Sequence, residues 1–183
     1  MFKWALIAAA AAFTAWLTFV AFDGSLFAWH PVLMTVAFVF CPITSINTVR
    51  HRFAVKGNTI PSVQVHLLLN IVGVLAGAGG LWAIWQNKDN NGWPHLVSWH
   101  SWAGVAALGS MAAVGLGGFL SVVTKGLVWK DAGHRLGGRL VLTAGTVALV
   151  LAFYSGWGGH NLGAAGQLAA SAAVVALSAL TML

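Results

Sequence analysis

Long apolar runs separated by short polar stretches make up most of the chain. Six of these runs reach about 20 residues or more, the length that an α-helix needs to cross the roughly 30 Å apolar core of a bilayer. They extend over Trp4 to Phe22, His30 to Val49, Ile60 to Trp85, His95 to Val123, His134 to Ser155, and Leu162 to Leu183. The pattern therefore predicts six transmembrane helices joined by short connections.

The composition agrees with this prediction. Of 183 residues, 59% are hydrophobic and 7% are charged, whereas a soluble domain carries about 25% charged residues. We expect an all-α integral membrane protein with one domain over residues 1–183, because no linker or polar segment divides the runs. The first run could be a signal peptide, but no small-residue cleavage site precedes Asp23, so we expect a retained helix. The single cysteine, Cys41, excludes an intramolecular disulfide.

The basic residues are distributed unequally between the two sides of the predicted bundle. Six crossings place both termini and the loops at residues 50–59 and 124–133 on one side, here called the inner side. Lys88 is the single lysine or arginine on the outer side, and the inner side holds Lys3, Arg50, Arg52, Lys56, Lys125, Lys130, Arg135 and Arg139. This asymmetry predicts a cytoplasmic inner side with both termini. The net charge of +6 is thus a topology signal, and we expect no nucleic-acid partner.

Four histidines form two pairs at matching depths. His30 and His100 lie near the outer ends of the second and fourth predicted helices, and His66 and His134 lie near the inner ends of the third and fifth. Alternate helices of an antiparallel bundle stand across the core from each other, so each pair can reach one point from opposite walls. Haem iron with two axial imidazoles requires such an arrangement. A membrane histidine can equally be a hydrogen-bonding packing residue, and on these residues alone both interpretations stay open.

The glycines near two of these histidines allow a similar pair of interpretations. Gly104 follows His100 by four residues, and Gly137 and Gly138 follow His134 by three and four. Residues at these spacings share a helical face with the histidine, so the missing side chains would leave room for a flat cofactor. Close packing of transmembrane helices explains any single glycine at least as well.

Three motifs that contain these histidines resemble the cytochrome b561 family of ascorbate-reducible transmembrane electron carriers. They are "FAWHPVLM", "HLVSWHSWAG" and "AGHRLGGRLVL", with His66 between the first two. The first two are most similar to the tumour-suppressor-candidate and domain-containing branch of that family. The resemblance covers helices 2 to 5 and implies that these helices form an antiparallel four-helix bundle with two haem b groups, flanked by helices 1 and 6. Many members have a second histidine where this chain has Asn70.

The resemblance also implies a ligand set and an activity. His30 and His100 would ligate the outer haem, and His66 and His134 the inner haem. The chain would be a transmembrane oxidoreductase that passes electrons from a cytoplasmic donor such as ascorbate to monodehydroascorbate or a ferric chelate. The candidate substrate contacts are Lys56, Lys130, Arg135 and His95.

Other functions remain compatible with the sequence. An accessory subunit of a larger membrane complex could retain the same fold, and a transporter could line a polar path with these histidines. A quinol-oxidising cytochrome is disfavoured, because it would need two ligand histidines on one helix. The expected partners are membrane lipid, the electron donor and the electron acceptor. The short loops are also compatible with a homodimer or a larger membrane complex.

Overall fold

The structure is a computed structural model that describes residues 2–51, 60–123 and 132–183, and its regular elements in this part of the chain are all helical. The helices are α1 (Phe2–Ala21), α2 (Trp29–Thr35), α3 (Cys41–His51), α4 (Ile60–Asn90), α5 (Trp99–Val123), α6 (Ala132–Phe153) and α7 (Gly156–Met182). A π-helical segment, Val36–Phe40, joins α2 to α3, so that these three elements form one span. Six spans are long and apolar enough to cross a membrane, which confirms the predicted class.

The starts of two helices differ most from the prediction, and both differences have a backbone cause. The third span also continues to Asn90, beyond the predicted end at Trp85. The fourth span begins at Trp99 rather than at His95, because Leu96 has a φ of 53° and a residue in the left-handed region interrupts a right-handed helix. The last helix begins at Gly156, but Gly163 inside it has a φ of 61° and a ψ of 174°. The predicted start at Leu162 therefore falls beside a break within α7.

The π-helical segment follows from a proline in the second span. Pro42 has no backbone N–H, and its ring would clash with the carbonyl of Phe38 in a regular α-helix. Widening the preceding turn to a π-helix relieves this conflict, and helix distortions of this kind usually lie next to proline. The segment carries Ala37, Phe38 and Val39, all buried.

Helices α2 to α6 form the central bundle, and α1 and α7 flank it. The α2 and α3 span packs against α4, which packs against α5, and α5 packs against α6. The π-helical segment contacts α6 and so closes the ring, while α1 packs against α2, α3 and α7. This is the arrangement expected for the six spans, with the second to fifth at the centre.

The core of the bundle depends on close approach at Gly145. A Cβ at Gly145 would lie 2.6 Å from the Phe38 ring, and Phe38 is 4% exposed. We expect Gly145→Ala to destabilise the protein by about 1–3 kcal/mol, the usual cost of overpacking. The matched control is Gly109→Ala in α5, because a Cβ at Gly109 would meet open space. Thermal unfolding in detergent checks this prediction, and an equal midpoint for the two variants would contradict it.

Candidate functional site: two facing histidine pairs

The first site is a cleft at the outer end of the bundle, here called the outer cleft, between His30 of α2 and His100 of α5. Both histidines line this cleft, and their ring centroids are 6.0 Å apart. Nδ1 of His30 lies 2.9 Å from the carbonyl oxygen of Gly80, and Nδ1 of His100 lies 2.9 Å from that of Ala148. A carbonyl oxygen can only accept a hydrogen bond, so each Nδ1 carries the hydrogen and each Nε2 retains a lone pair.

The orientation of the His30 ring depends on Gly80, the glycine whose carbonyl oxygen accepts its hydrogen bond. A Cβ at Gly80 would lie 3.2 Å from Cβ of Leu33 and 3.4 Å from the backbone oxygen of His30. The separation from Leu33 is tighter than ordinary van der Waals contact, so a larger residue would require α2 to shift slightly away from α4. The glycine therefore lets the imidazole reach a carbonyl in the neighbouring helix.

The second site is a cleft at the opposite end, here called the inner cleft, between His66 of α4 and His134 of α6. Both histidines line it, and their ring centroids are 6.2 Å apart. Nδ1 of His66 lies 2.6 Å from Oγ of Ser45 and 3.3 Å from the Ser45 carbonyl oxygen. Nδ1 of His66 therefore also has a polar partner. Its nearest partner is a side-chain hydroxyl, whereas the outer histidines have backbone carbonyls.

The separation of each pair fits one metal atom between two imidazoles. A histidine nitrogen lies about 2.0–2.1 Å from a first-row metal such as zinc, and the ring centroid lies about 1 Å further, so two axial imidazoles place their centroids roughly 6 Å apart. The observed separations are 6.0 and 6.2 Å. Neutral imidazole is also the type of donor that binds haem iron. Both pairs thus fit a bis-histidine haem.

Of the three glycines near the histidines, two leave open space in the clefts and one allows close helix packing. Gly104 lines the outer cleft and Gly138 lines the inner cleft, and a Cβ at either position would meet no atom within 4 Å. These two positions leave open space beside the histidines. A Cβ at Gly137 would instead lie 2.9 Å from Cγ2 of Val114, so Gly137 serves the packing of α6 against α5.

The charged residues sort by cleft as the topology prediction requires. Arg50, Arg135 and Arg139 line the inner cleft, and Lys88 lines the outer cleft. Of the candidate substrate contacts, Arg135 therefore lies beside the inner histidine pair. Lys56 and Lys130 lie outside the described residues.

His95, the remaining candidate, lies at the opposite end from Arg135. It lines the outer cleft in the segment before α5. Its ring is stacked on Trp85 with the centroids 3.9 Å apart, and its Nε2 lies 2.7 Å from Oδ1 of Asp89. Any substrate contact of His95 would thus be with a molecule at the outer cleft.

The sequence does not indicate which groups contact Nδ1 of His30, His100 and His66. Gly80 and Ala148 contribute backbone carbonyls, which every residue has. Ser45 is one of several small polar residues in its helix, and only the packing of α3 against α4 brings its hydroxyl to His66. Asn70 donates both to the Ser45 hydroxyl and to the backbone of its own helix.

The fold and the two clefts define an integral, multi-pass helical membrane protein in which two facing histidine pairs could each hold one metal-centred cofactor. A family model described as eukaryotic cytochrome b561 matches residues 29–159. The chain belongs to the cytochrome b561 family, as its motifs suggest, and members of this family bind haem b.

Individual relatives agree with the family and with the domain-containing branch. The chain is 31% identical over 153 residues to the probable transmembrane reductase CYB561D1 of Mus musculus, covering 79% of this chain and 67% of the relative. It is 35% identical over 99 residues to the protein of the same name from Homo sapiens, covering 52% and 43%. It is 32% identical over 86 residues to the plasma membrane ascorbate-dependent reductase CYBRD1 of Mus musculus, covering 47% and 30%. The matches thus span from less than a third to two thirds of these relatives.

Proposed function

We propose that the chain, as a single transmembrane domain, transfers electrons across a membrane by means of two haem b groups, one in each cleft. The observation that carries the proposal is the presence of two facing imidazole pairs, 6.0 and 6.2 Å between centroids, at opposite ends of one bundle. Membership of a family that binds haem b supports it. His30 and His100 would hold the outer haem, and His66 and His134 the inner haem.

The histidines contribute orientation as well as ligation. When bound, each haem would supply an iron centre that gains and loses one electron. The hydrogen bonds from Nδ1 of His30 and His100 to backbone carbonyls fix each ring and its tautomer, and partners of this kind also raise the basicity of the ligand. The two outer rings are therefore prepared for ligation by the fold itself.

An apolar layer separates the two clefts. Phe38 and Leu108 line the outer cleft and Met111 lines the inner cleft, and Phe38 and Met111 are 4% and 3% exposed. These side chains exclude water from the middle of the bundle. Electron transfer between the clefts would cross this short dry layer rather than a solvated channel.

The charges favour an anionic donor at the inner cleft. Arg50, Arg135 and Arg139 surround that cleft, and the positive-inside rule assigns this side to the cytoplasm. Ascorbate is an anion at neutral pH, and several relatives are named as ascorbate-dependent or ascorbate-specific proteins. We therefore propose ascorbate as the donor, and monodehydroascorbate or a ferric chelate as the acceptor at the outer cleft.

The purified protein should contain two low-spin, non-covalently bound haem b groups per chain. Four histidines in two pairs would supply two imidazole nitrogens to each of two haem irons, and the single cysteine excludes a C-x-x-C-H attachment motif. Haem extraction with quantitation, and a reduced-minus-oxidised spectrum recorded before and after ascorbate, test the stoichiometry and the donor together. One haem per chain, or none, would contradict the proposal.

A further inference from the structure

The inner histidine His66 has a hydrogen-bonding environment that differs from that of both outer histidines. Its Nδ1 lies 2.6 Å from Oγ of Ser45, and Ser45 is 1% exposed. Asn70, one turn after His66 in α4, donates from Nδ2 to the same Oγ at 2.8 Å and to the His66 carbonyl at 2.7 Å. Three side chains from two helices therefore form one partly buried network, with the buried Ser45 hydroxyl at its centre.

The partners around Ser45 are compatible with a hydrogen on Nδ1 of His66. The Ser45 carbonyl lies 3.3 Å from Nδ1 of His66 and can only accept. The Ser45 hydroxyl is directed to the His66 carbonyl at 3.4 Å, and the Asn70 amide occupies one lone pair of Oγ. When His66 ligates a metal through Nε2, its Nδ1 carries the hydrogen and can donate it to the second lone pair of Oγ.

We propose that Ser45, held in place by Asn70, is the positioning residue for His66 and sets the reduction potential of the inner haem separately from that of the outer haem. This inference rests on the proposed ligation of a haem by His66. Ser45 is the polar partner that a ligating histidine needs on its second nitrogen. Removing such a partner typically lowers metal affinity by about 10–100-fold.

The direction of the effect follows from the chemistry of imidazole. A hydrogen bond from Nδ1–H to an acceptor increases electron density on Nε2, and a more electron-rich ligand favours ferric over ferrous iron. Ser45→Ala removes the hydroxyl and leaves the ring only the Ser45 carbonyl, at the longer distance. The inner potential should therefore rise, and a tenfold change in the ratio of ferric to ferrous affinity would correspond to about 59 mV.

The experiment measures the potentials of both haems by redox titration with optical and EPR detection. Ser45→Ala should raise the potential of the inner haem and alter its EPR g values, while the outer haem keeps those of the parent. The matched control is Thr48→Ala in the same helix, because the Thr48 hydroxyl donates to the Thr44 carbonyl of its own helix. Repeating the measurement in a His100→Ala background, in which only the inner haem should remain, assigns the signal.

Ser45→Cys provides a second variant, which keeps a weakly polar group at this position, if Ser45→Ala cannot be isolated. A thiol is a weaker acceptor than a hydroxyl, so its inner potential should lie between those of the parent and the alanine variant. An unchanged inner potential in a folded two-haem variant, or equal shifts of both haems, would overturn the role of Ser45. A parent protein with no inner haem would instead overturn the proposed function, so the two failures are distinguishable.

Discussion

A His100→Ala protein should purify with one haem per chain in place of two. The change removes one of the two imidazoles, 6.0 Å apart, that define the outer cleft, and leaves His30 as the single histidine of the pair. Gly104 beside it has no side chain to substitute for the lost ligand. The inner cleft lies at the other end of the bundle and keeps its own pair, so the remaining haem should retain the low-spin spectrum of a bis-histidine site.

The converse variant, His134→Ala, should lose the inner haem and keep the outer one. A suitable control is His160→Ala, because His160 lies exposed at the start of α7 and belongs to neither pair. Haem quantitation with EPR of the ferric state separates the three variants. Loss of both haems from a folded His100→Ala protein, or retention of both, would show that the four histidines are not paired as the geometry suggests.

The six spans and the histidine pairs could be predicted because each depends on a periodic or one-dimensional property. Apolar run length gives the crossings, and distance along a helix gives depth in the membrane, so His30 aligns with His100 and His66 with His134 before any contact is known. The number of crossings between Lys88 and Arg135 likewise places these two residues at opposite ends of the bundle.

The contacts around the histidines could not be predicted, because they depend on the rotation and approach of neighbouring helices. His30 donates to a backbone carbonyl that is available only because Gly80 allows α2 close to α4. The π-helical segment rotates the second half of its span and changes which residues face α4, Ser45 among them. Pro42 is a local signal for such a distortion, but a proline alone does not specify whether a helix kinks or widens.

Neutralising the arginines of the inner cleft should slow reduction by ascorbate about 10–1000-fold at low salt, the range over which charge steering changes association rates. Among the described residues, three arginines line this cleft. Arg135→Gln with Arg139→Gln removes two of them and leaves Arg50, which donates to the Thr181 carbonyl and helps to connect α3 to α7. The rate with ascorbate should also lose much of its ionic-strength dependence, since screening acts on the same charges. Stopped-flow absorbance of the haem bands in oriented vesicles measures both effects.

The same charges could serve only to orient the protein in the membrane, and the controls separate the two roles. Lys88→Gln removes a cation from the outer cleft and should leave ascorbate reduction from the inner side unchanged. A small neutral quinol should reduce the double variant as fast as the parent, because its encounter with the cleft involves no net charge. With haem content and orientation verified, equal ascorbate rates for the double variant and the parent at low salt would leave the arginines with a topological role alone. Faster reduction of the parent from the Lys88 side would place the donor site at the outer cleft instead.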